Sequence, residues 1–593
     1  MSQLYQGFSL VKRMLDTAIT VAFAPLMTSK AATAADYKST IHSTNPHRIL
    51  QGGDAIAVTG NKHALDAYGP DHGIQVVDGG ITATSTDQAT VMGSCMGFID
   101  LGTGSTIRAN GAGSSLCAIV SGGSGALNPP YTTIIGADLS AEVVSSGNAC
   151  GFSTDPKGII SMTGNTKINV FSGSKGVGMK SRDSGIISLE NAVVKMAGHT
   201  DVPQIVIHAS LEGAVMATGK VSATATGSHV YGTYAGGENT TITLNNFTAD
   251  LTGTGSVFGA FIRWGTVSLL GSSDVTISAE ANAYGLYADN QSTVSIGTEG
   301  SATPNKGVWN ITGTNHAAAI RTELHVPSDA GLHDIKIHNT TLNSNHDGIV
   351  VSGSRTVVLF DNSTLLVDPI SGDLAYVEGK SVEVNDVPTP FGSDLLIDAR
   401  NASQLSGTVF VDAASRLRIS LASDAQWTLA GSTVITDLKL DNGRLVFQAP
   451  TTVSDFKTLT VFKNYDATDG GGTIVMNTRL DDGANPATDL LVIEGNTSGT
   501  AALNIQNFTG IGALTTGNGI QVVQVNGHSD AVFTLAQPVT VGDYKYALVK
   551  ANDGHWYLQS SEESSDKPQR LHRHAKAASS TEIRDKMFCF NLN

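Results

Sequence analysis

The stretch NAYGLYADNQSTVSI, residues 282–296, decides the fold because the chain repeats it. Copies that align with it are NACGFSTDPKGIISM (148–162), KGVGMKSRDSGIISL (175–189), HVYGTYAGGENTTITL (229–244), SVFGAFIRWGTVSLL (256–270) and HDGIVVSGSRTVVL (346–359). They share Gly151, Gly178, Gly232, Gly259, Gly285 and Gly348, whose successive separations are 27, 54, 27, 26 and 63 residues. The period is therefore close to 27, with a degenerate copy skipped in the 54 and two longer copies in the 63. Within each unit apolar residues alternate with small polar ones, as in Val267, Leu269, Val275 and Ile277. Period-two alternation marks strands with one buried face, and a fixed period of 20–50 residues built of strands and turns marks a solenoid.

The fold these features predict is all-β: a right-handed parallel β-helix with coils of about 27 residues, each rising about 4.8 Å along the axis. Roughly 20 coils fit between residues 35 and 560, giving a rod on the order of 100 Å. The shared glycines are expected at a bend, where a side chain would obstruct the corner.

Composition supports strands over helices. Charged residues are 15% of the chain while Gly alone accounts for 65 of 593 residues, a turn-rich profile short of the Glu and Lys that helical surfaces need. A net charge of −16 repels phosphate backbones, so no nucleic-acid partner is expected. Near the N-terminus Lys12 and Arg13 precede the apolar run Thr17–Met27 and the small residues Ala32-Thr33-Ala34. That order reads as a secretory signal peptide over 1–34, cleaved between Ala34 and Ala35.

Export makes the cysteines candidates for oxidation. Cys150 precedes Gly151, Cys117 lies in what reads as the preceding coil, and Cys95 lies two before Gly97. Stacked residues of adjacent coils are near enough to bridge, so Cys117–Cys150 is the expected pair, with Cys95–Cys117 as the rival and unbridged burial as the third possibility.

Beyond a turn expected at Pro388 and Pro390 the strands are expected to lengthen, and a series of motifs follows: Trp427-x-Leu429, FKTLTVFKNY (456–465), TDLLVIEGNTSGTAALNIQN (488–507), TTGNGIQVVQVNG (515–527), YKY (544–546) and WYL (556–558). In this order they resemble the C-terminal passenger segment of bacterial autotransporters of the pertactin-like type, over about 135 residues. The resemblance implies type V secretion and a segment that ends the β-helix and nucleates its folding, the autochaperone. It implies a core of Trp427, Leu491, Ile493, Ile520, Val522, Tyr544, Tyr546, Trp556 and Tyr557, matching the concentration of aromatics at this end.

The organisation expected is a signal peptide (1–34), β-helix repeats (35–390), C-terminal β-helix with autochaperone (391–560) and a tail (561–593) in place of the family's membrane barrel. Thirty-three residues after Ser560 are too few for the eight strands of the smallest barrels, so an interrupted reading frame or a barrel supplied in trans is expected. By the same resemblance the product is a surface-exposed or secreted adhesin, or periplasmic if no barrel is available. Its partners would be the host cell surface or extracellular matrix, the export machinery and an outer-membrane barrel.

Enzymatic chemistry finds little in the sequence. Asn345–Ile349 (NHDGI) faintly resembles the acidic loop of pectin-cleaving β-helix enzymes, but Asp347 reads as an isolated turn residue where glycoside cleavage needs two carboxyls. Asp183-Ser184-Gly185 sits at a turn inside the repeat, without a protease-like domain. His325, His333, His338 and His346 read as scattered solvated residues, with His333 and His338 on opposite strand faces. No cofactor, metal or catalytic residue is expected. The rival readings are a secreted polysaccharide lyase or hydrolase, and a truncated remnant that is never displayed.

Overall fold

The computed structural model describes residues 34–562, apart from 45–46, 61, 71, 113–114, 123–130, 200, 301–305, 326–330, 385 and 469. The expected signal sequence before Ala34 and the tail from 563 lie outside the described residues. The described chain consists of strands and turns that form a parallel β-helix. Each coil contributes three strands, and each strand pairs in parallel with its counterpart one coil on. For example, Gly176–Arg182 lies between Ala149–Thr154 and Gln204–Ser210.

The coil length agrees with the repeat and resolves its irregularities. The 54-residue gap holds the coil in which Ile205 stacks between Val177 and Tyr231, 28 and 26 residues away. The 63-residue gap divides into steps of 34 and 29, from Leu286 to Ile320 and from Ile320 to Ile349. Inward side chains stack into one continuous apolar core from Ile41 to Leu558. Ladders of this kind give stability that is the sum of coil and nearest-neighbour terms.

The shared glycines are not at bends. Gly151, Gly178, Gly232, Gly259, Gly285 and Gly348 lie inside strands and have ordinary negative φ, whereas the tight corners use pairs of left-handed residues such as Asp183-Ser184 (φ 51° and 62°). What excludes a side chain is the next coil. A Cβ on Gly151 would stand 2.5 Å from the Gly178 carbonyl oxygen and 2.3 Å from Cγ2 of Ile168. Val206 and Ala319 occupy the same column in other coils, so the constraint is set by local packing and not by backbone conformation.

Pro388 and Pro390 lie within a projecting antiparallel hairpin, Lys380–Val384 with Val387–Phe391, and not in a turn. The helix continues across it, since Arg355–Asp361 pairs with Asp394–Arg400. At the C-terminal end the parallel ladder runs through Thr433–Ile435, Thr458–Val461, Leu490–Ile493 and Ile520–Val525. It is then closed by antiparallel strands Trp556–Glu562, Tyr544–Lys550 and Val539–Val541. An antiparallel hairpin on the last coil covers an edge that would otherwise template another chain.

Candidate functional site

The repeat places aromatic residues on both sides of its glycine: Tyr231 and Tyr234, Phe258 and Phe261, Tyr284 and Tyr287. In an undisturbed strand, residues three apart point to opposite faces. Here the ladder skips the glycine. Tyr231 pairs with Phe258 and Thr233 with Ala260, leaving Gly232 and Gly259 unpaired, and Val257–Ala260 are all buried in succession. This local irregularity resets the alternation, as a bulge does, so both aromatics of each coil leave the main core and form a separate outer cluster.

The result is a strip two rings wide outside the main core, in which Phe258 and Tyr284 are buried and the Tyr234, Phe261, Tyr287 column is half-buried and faces outward. Between coils the rings stack, with Tyr231–Phe258 at 4.8 Å, Tyr234–Phe261 at 5.0 Å, Phe258–Tyr284 at 5.4 Å and Phe261–Tyr287 at 5.0 Å between centroids. Within a coil they meet edge to face, at interplanar angles of 75°, 89° and 68°. Both arrangements are favoured by the ring quadrupole, at about 0.5–1.5 kcal/mol per pair beyond area burial. One column continues from Tyr287 through Arg321 and Val350 to Tyr376 and Phe410, whose rings stack at 4.6 Å.

Ionic contacts edge the strip. Arg263 donates Nε and Nη2 to Asp289 at 2.9 and 2.5 Å. Glu323 accepts the Tyr287 hydroxyl at 2.5 Å, lies 3.5 Å from Arg321 and binds Lys380 at the base of the hairpin. Burial, with the hydrogen bond to Glu323, raises the Tyr287 phenol well above its ordinary range. Arg321 also lies over the Tyr284 ring, 5.8 Å from its centroid.

Asp347 is not an isolated turn residue. It opens the strand Asp347–Ser352, and its Oδ1 accepts the backbone N–H of Asp373 at 2.9 Å; Asp373 in turn accepts the Thr408 hydroxyl at 2.5 Å. His316 Nδ1 stands 3.7 Å from Asp347, and His346 packs beside His316. Burial, together with the Asp373 charge, holds the Asp347 carboxyl above its ordinary range. Asp373 lies 26 residues on, and only the coil register brings its backbone N–H and its charge near Asp347. The expectation of solvated histidines fails for two of the four. His333 and His338 are both buried, His333 in the interior and His338 with Nδ1 3.2 Å from Asp361. His333 shares the inward face with Ile335 and Ile337, and a break in alternation at Ile337-His338 buries His338 as well.

Cys117 and Cys150 are partners in register, with Cα atoms 4.5 Å apart, and the structure joins them in a disulfide. The rival Cys95 stands in a left-handed turn beside Met96, outside the stack; Ile119 pairs with Val91, so the residue below Cys117 is Ala89. At the opposite end Trp427, Leu491, Ile493, Ile520, Val522, Tyr546 and Trp556 are buried in the core, while Tyr544 and Tyr557 are half-buried on its outer side. Trp427 donates its indole N–H to the Gly407 carbonyl at 3.1 Å. The Tyr546 hydroxyl accepts the Ala513 N–H at 3.1 Å and has the carbonyls of Asp481 and Ala513 at 3.1 and 3.2 Å to receive its one proton. Asp489, unremarked as a side chain in the TDLLVIEG motif, is fully buried. It accepts N–H groups from Lys457 and from the backbone and side chain of Asn477, at 2.8, 2.7 and 2.7 Å. Among the described residues no group of three or more His, Cys, Asp or Glu is placed to hold a metal.

Residues 433–548 match the family model "Autochaperone Domain Type 1". Curated relatives point the same way. The autotransporter adhesin/invasin TibA of Escherichia coli O78:H11 is 33% identical over 192 residues, 32% of this chain and 18% of TibA. The autotransporter adhesin AIDA-I of Escherichia coli is 36% identical over 149 residues, 24% of this chain and 11% of AIDA-I. The BrkA autotransporter of Bordetella pertussis is 28% identical over 217 residues, 36% of this chain and 20% of BrkA. The matches thus span a fifth or less of each relative's length. The chain carries an autochaperone segment at the C-terminal end of the described rod and is similar, over part of its length, to autotransporters.

Proposed function

We propose that the chain is a non-catalytic adhesin, displayed at the bacterial surface or released, in which the β-helix is a rigid support for a recognition surface. The observation that supports this reading most is the continuous rod closed by an autochaperone segment, in a chain similar to two autotransporters named as adhesins. The reading includes removal of residues 1–34 at Ala34–Ala35, β-helix repeats over 35–390, and a C-terminal β-helix over 391–560 that folds first and templates the coils before it. Its partners are a host cell surface or matrix and, during export, an outer-membrane barrel. Bacteria producing the chain should adhere to epithelial cells more than a deletion strain does, and protease added to intact bacteria should remove the rod. A rod fully protected from protease, with no gain in adherence, would overturn the reading.

A second reading, a β-helix polysaccharide hydrolase or lyase, is favoured by one observation, the contact of Asp347 with Asp373 beside His316. It requires release of reducing ends from polysaccharide by the purified chain and loss of that activity in Asp347→Asn. Absence of any such release removes it.

A further inference from the structure

We propose that the outer aromatic strip binds an uncharged, hydroxyl-rich glycan chain lying along the rod axis; this rests on the adhesin reading and names the chemistry of its ligand.

Three features lead there. The first is periodicity. From Tyr234 to Phe410 one column crosses six coil steps, roughly 29 Å at the spacing of adjacent strands. An extended polysaccharide advances by a similar distance per residue, so one sugar can meet each coil. A globular ligand would have no use for a surface this long and narrow.

The second feature is charge. The cations that edge the strip are met by carboxylates of the same edge, Arg263 by Asp289, and Arg321 and Lys380 by Glu323. Three cations against two carboxylates leave this edge with one positive charge in excess, a small field for a row of ionic groups. Such an edge complements hydroxyl groups, and it favours a neutral chain over a polyanion in a protein whose net charge is already −16.

The third is the hydroxyls. Of the five tyrosine hydroxyls along the strip, that of Tyr287 bonds Glu323, while those of Tyr231, Tyr234, Tyr284 and Tyr376 bond to no described residue. A ring body packed on its neighbours with its phenol oxygen free is suited to contact the apolar C–H faces of sugars and their hydroxyls together. The rings are also held rigid by stacking, so little side-chain freedom is lost on binding. The hairpin Lys380–Val384/Val387–Phe391, tied to the strip through Lys380, stands beside it as a lateral wall.

The test is binding of the purified full chain to immobilised cellohexaose, chitohexaose and maltohexaose, with dextran sulfate as the anionic comparison. Binding to at least one neutral hexamer is expected. It should weaken about tenfold or more in Tyr234→Ser/Phe261→Ser/Tyr287→Ser, since three ring contacts are lost together. It should also weaken in Tyr231→Phe/Tyr234→Phe/Tyr284→Phe, which keeps every stack and removes only free hydroxyls, so the proposal stays testable if the first variant misfolds. Tyr68→Ser, at an exposed aromatic off the strip, should bind as the parent does. Binding to dextran sulfate alone, or neutral binding unchanged in the Tyr→Phe variant, overturns the proposal. Bacterial adherence measured with the same variants separates the two readings. Adherence that persists undiminished in strip variants sinks the glycan strip alone, whereas no adherence by the parent sinks the adhesin reading.

Discussion

Substituting Gly259 by Ala probes the feature that generates both the repeat and the outer strip. The added Cβ would lie 2.7 Å from the Gly285 carbonyl oxygen, 2.7 Å from Cζ3 of Trp309 and 3.1 Å from Cδ1 of Ile277. Neither of the first two yields easily, because the carbonyl belongs to the backbone of the next coil and Trp309 is fully buried. Overpacking of this kind costs about 1–3 kcal/mol. The smaller conformational freedom of Ala in the unfolded chain returns roughly 0.5–1 kcal/mol. With two rigid neighbours at 2.7 Å the cost falls in the upper half of that range, so the net expectation is a loss of about 1–2 kcal/mol, confined to the coils that touch position 259. A solenoid opens locally, so the assay is hydrogen–deuterium exchange by mass spectrometry on peptides spanning 256–296. Exchange there should quicken about 5- to 30-fold, with peptides around 416–422 unchanged. Unchanged protection over 256–296, or an equal loss at the remote coil, would refute the reasoning.

Three further outcomes follow from individual residues. Mapping of the exported protein without reductant should show Cys117 joined to Cys150 and Cys95 free, and Cys150→Ser should lower stability by about 3–4 kcal/mol for a loop of 33 residues; free thiols at both positions in parental protein would contradict this. Burial depresses His333 to about 4 in the folded chain against about 6.5 when unfolded, so the unfolded state binds the extra proton. Stability is then complete above pH 6.5 and falls as pH drops toward 4, by up to about 3 kcal/mol, a slope that His333→Gln should remove and that an NMR titration of His333 near 6.5 would disprove. Asp54, buried, accepts hydrogen bonds from the backbone nitrogen of Ala35 at 2.7 Å and of Gln51 at 3.1 Å, so Asp54→Leu should loosen the first coil by about 1–3 kcal/mol, read as faster exchange over 36–57; no change would show that these bonds are dispensable.

The repeat made the coil legible because a parallel β-helix writes its geometry directly into sequence: equivalent residues recur once per turn, and the core alternates. Its interruptions were legible too, since the 54- and 63-residue gaps resolve into whole coils. The role of the glycines was misread. Recurrence marks a crowded position, but periodicity alone cannot distinguish crowding at a corner from crowding against a neighbouring strand. That error hid the strip, because alternation sends Tyr231 and Tyr234 to opposite faces unless the ladder slips between them. The YGTY, FGAF and YGLY segments carried the signal, aromatics on both sides of the recurring glycine. The Asp347–Asp373 contact and the burial of His338 were out of reach for a related reason. The first depends on the register between coils and the burial of His338 on a break in alternation, whereas His333 follows the plain alternation that Ile335 and Ile337 display.

The register itself is the most direct test of the architecture. Ser295 stacks on Lys336, 41 residues away, because the intervening coil is lengthened; a uniform 27-residue repeat would set Ser295 on Thr322 instead. Ser295→Cys/Lys336→Cys and Ser295→Cys/Thr322→Cys, oxidised in the native state and mapped by mass spectrometry, distinguish the two. The account predicts an efficient 295–336 cross-link and no 295–322 cross-link. The reverse result would contradict it.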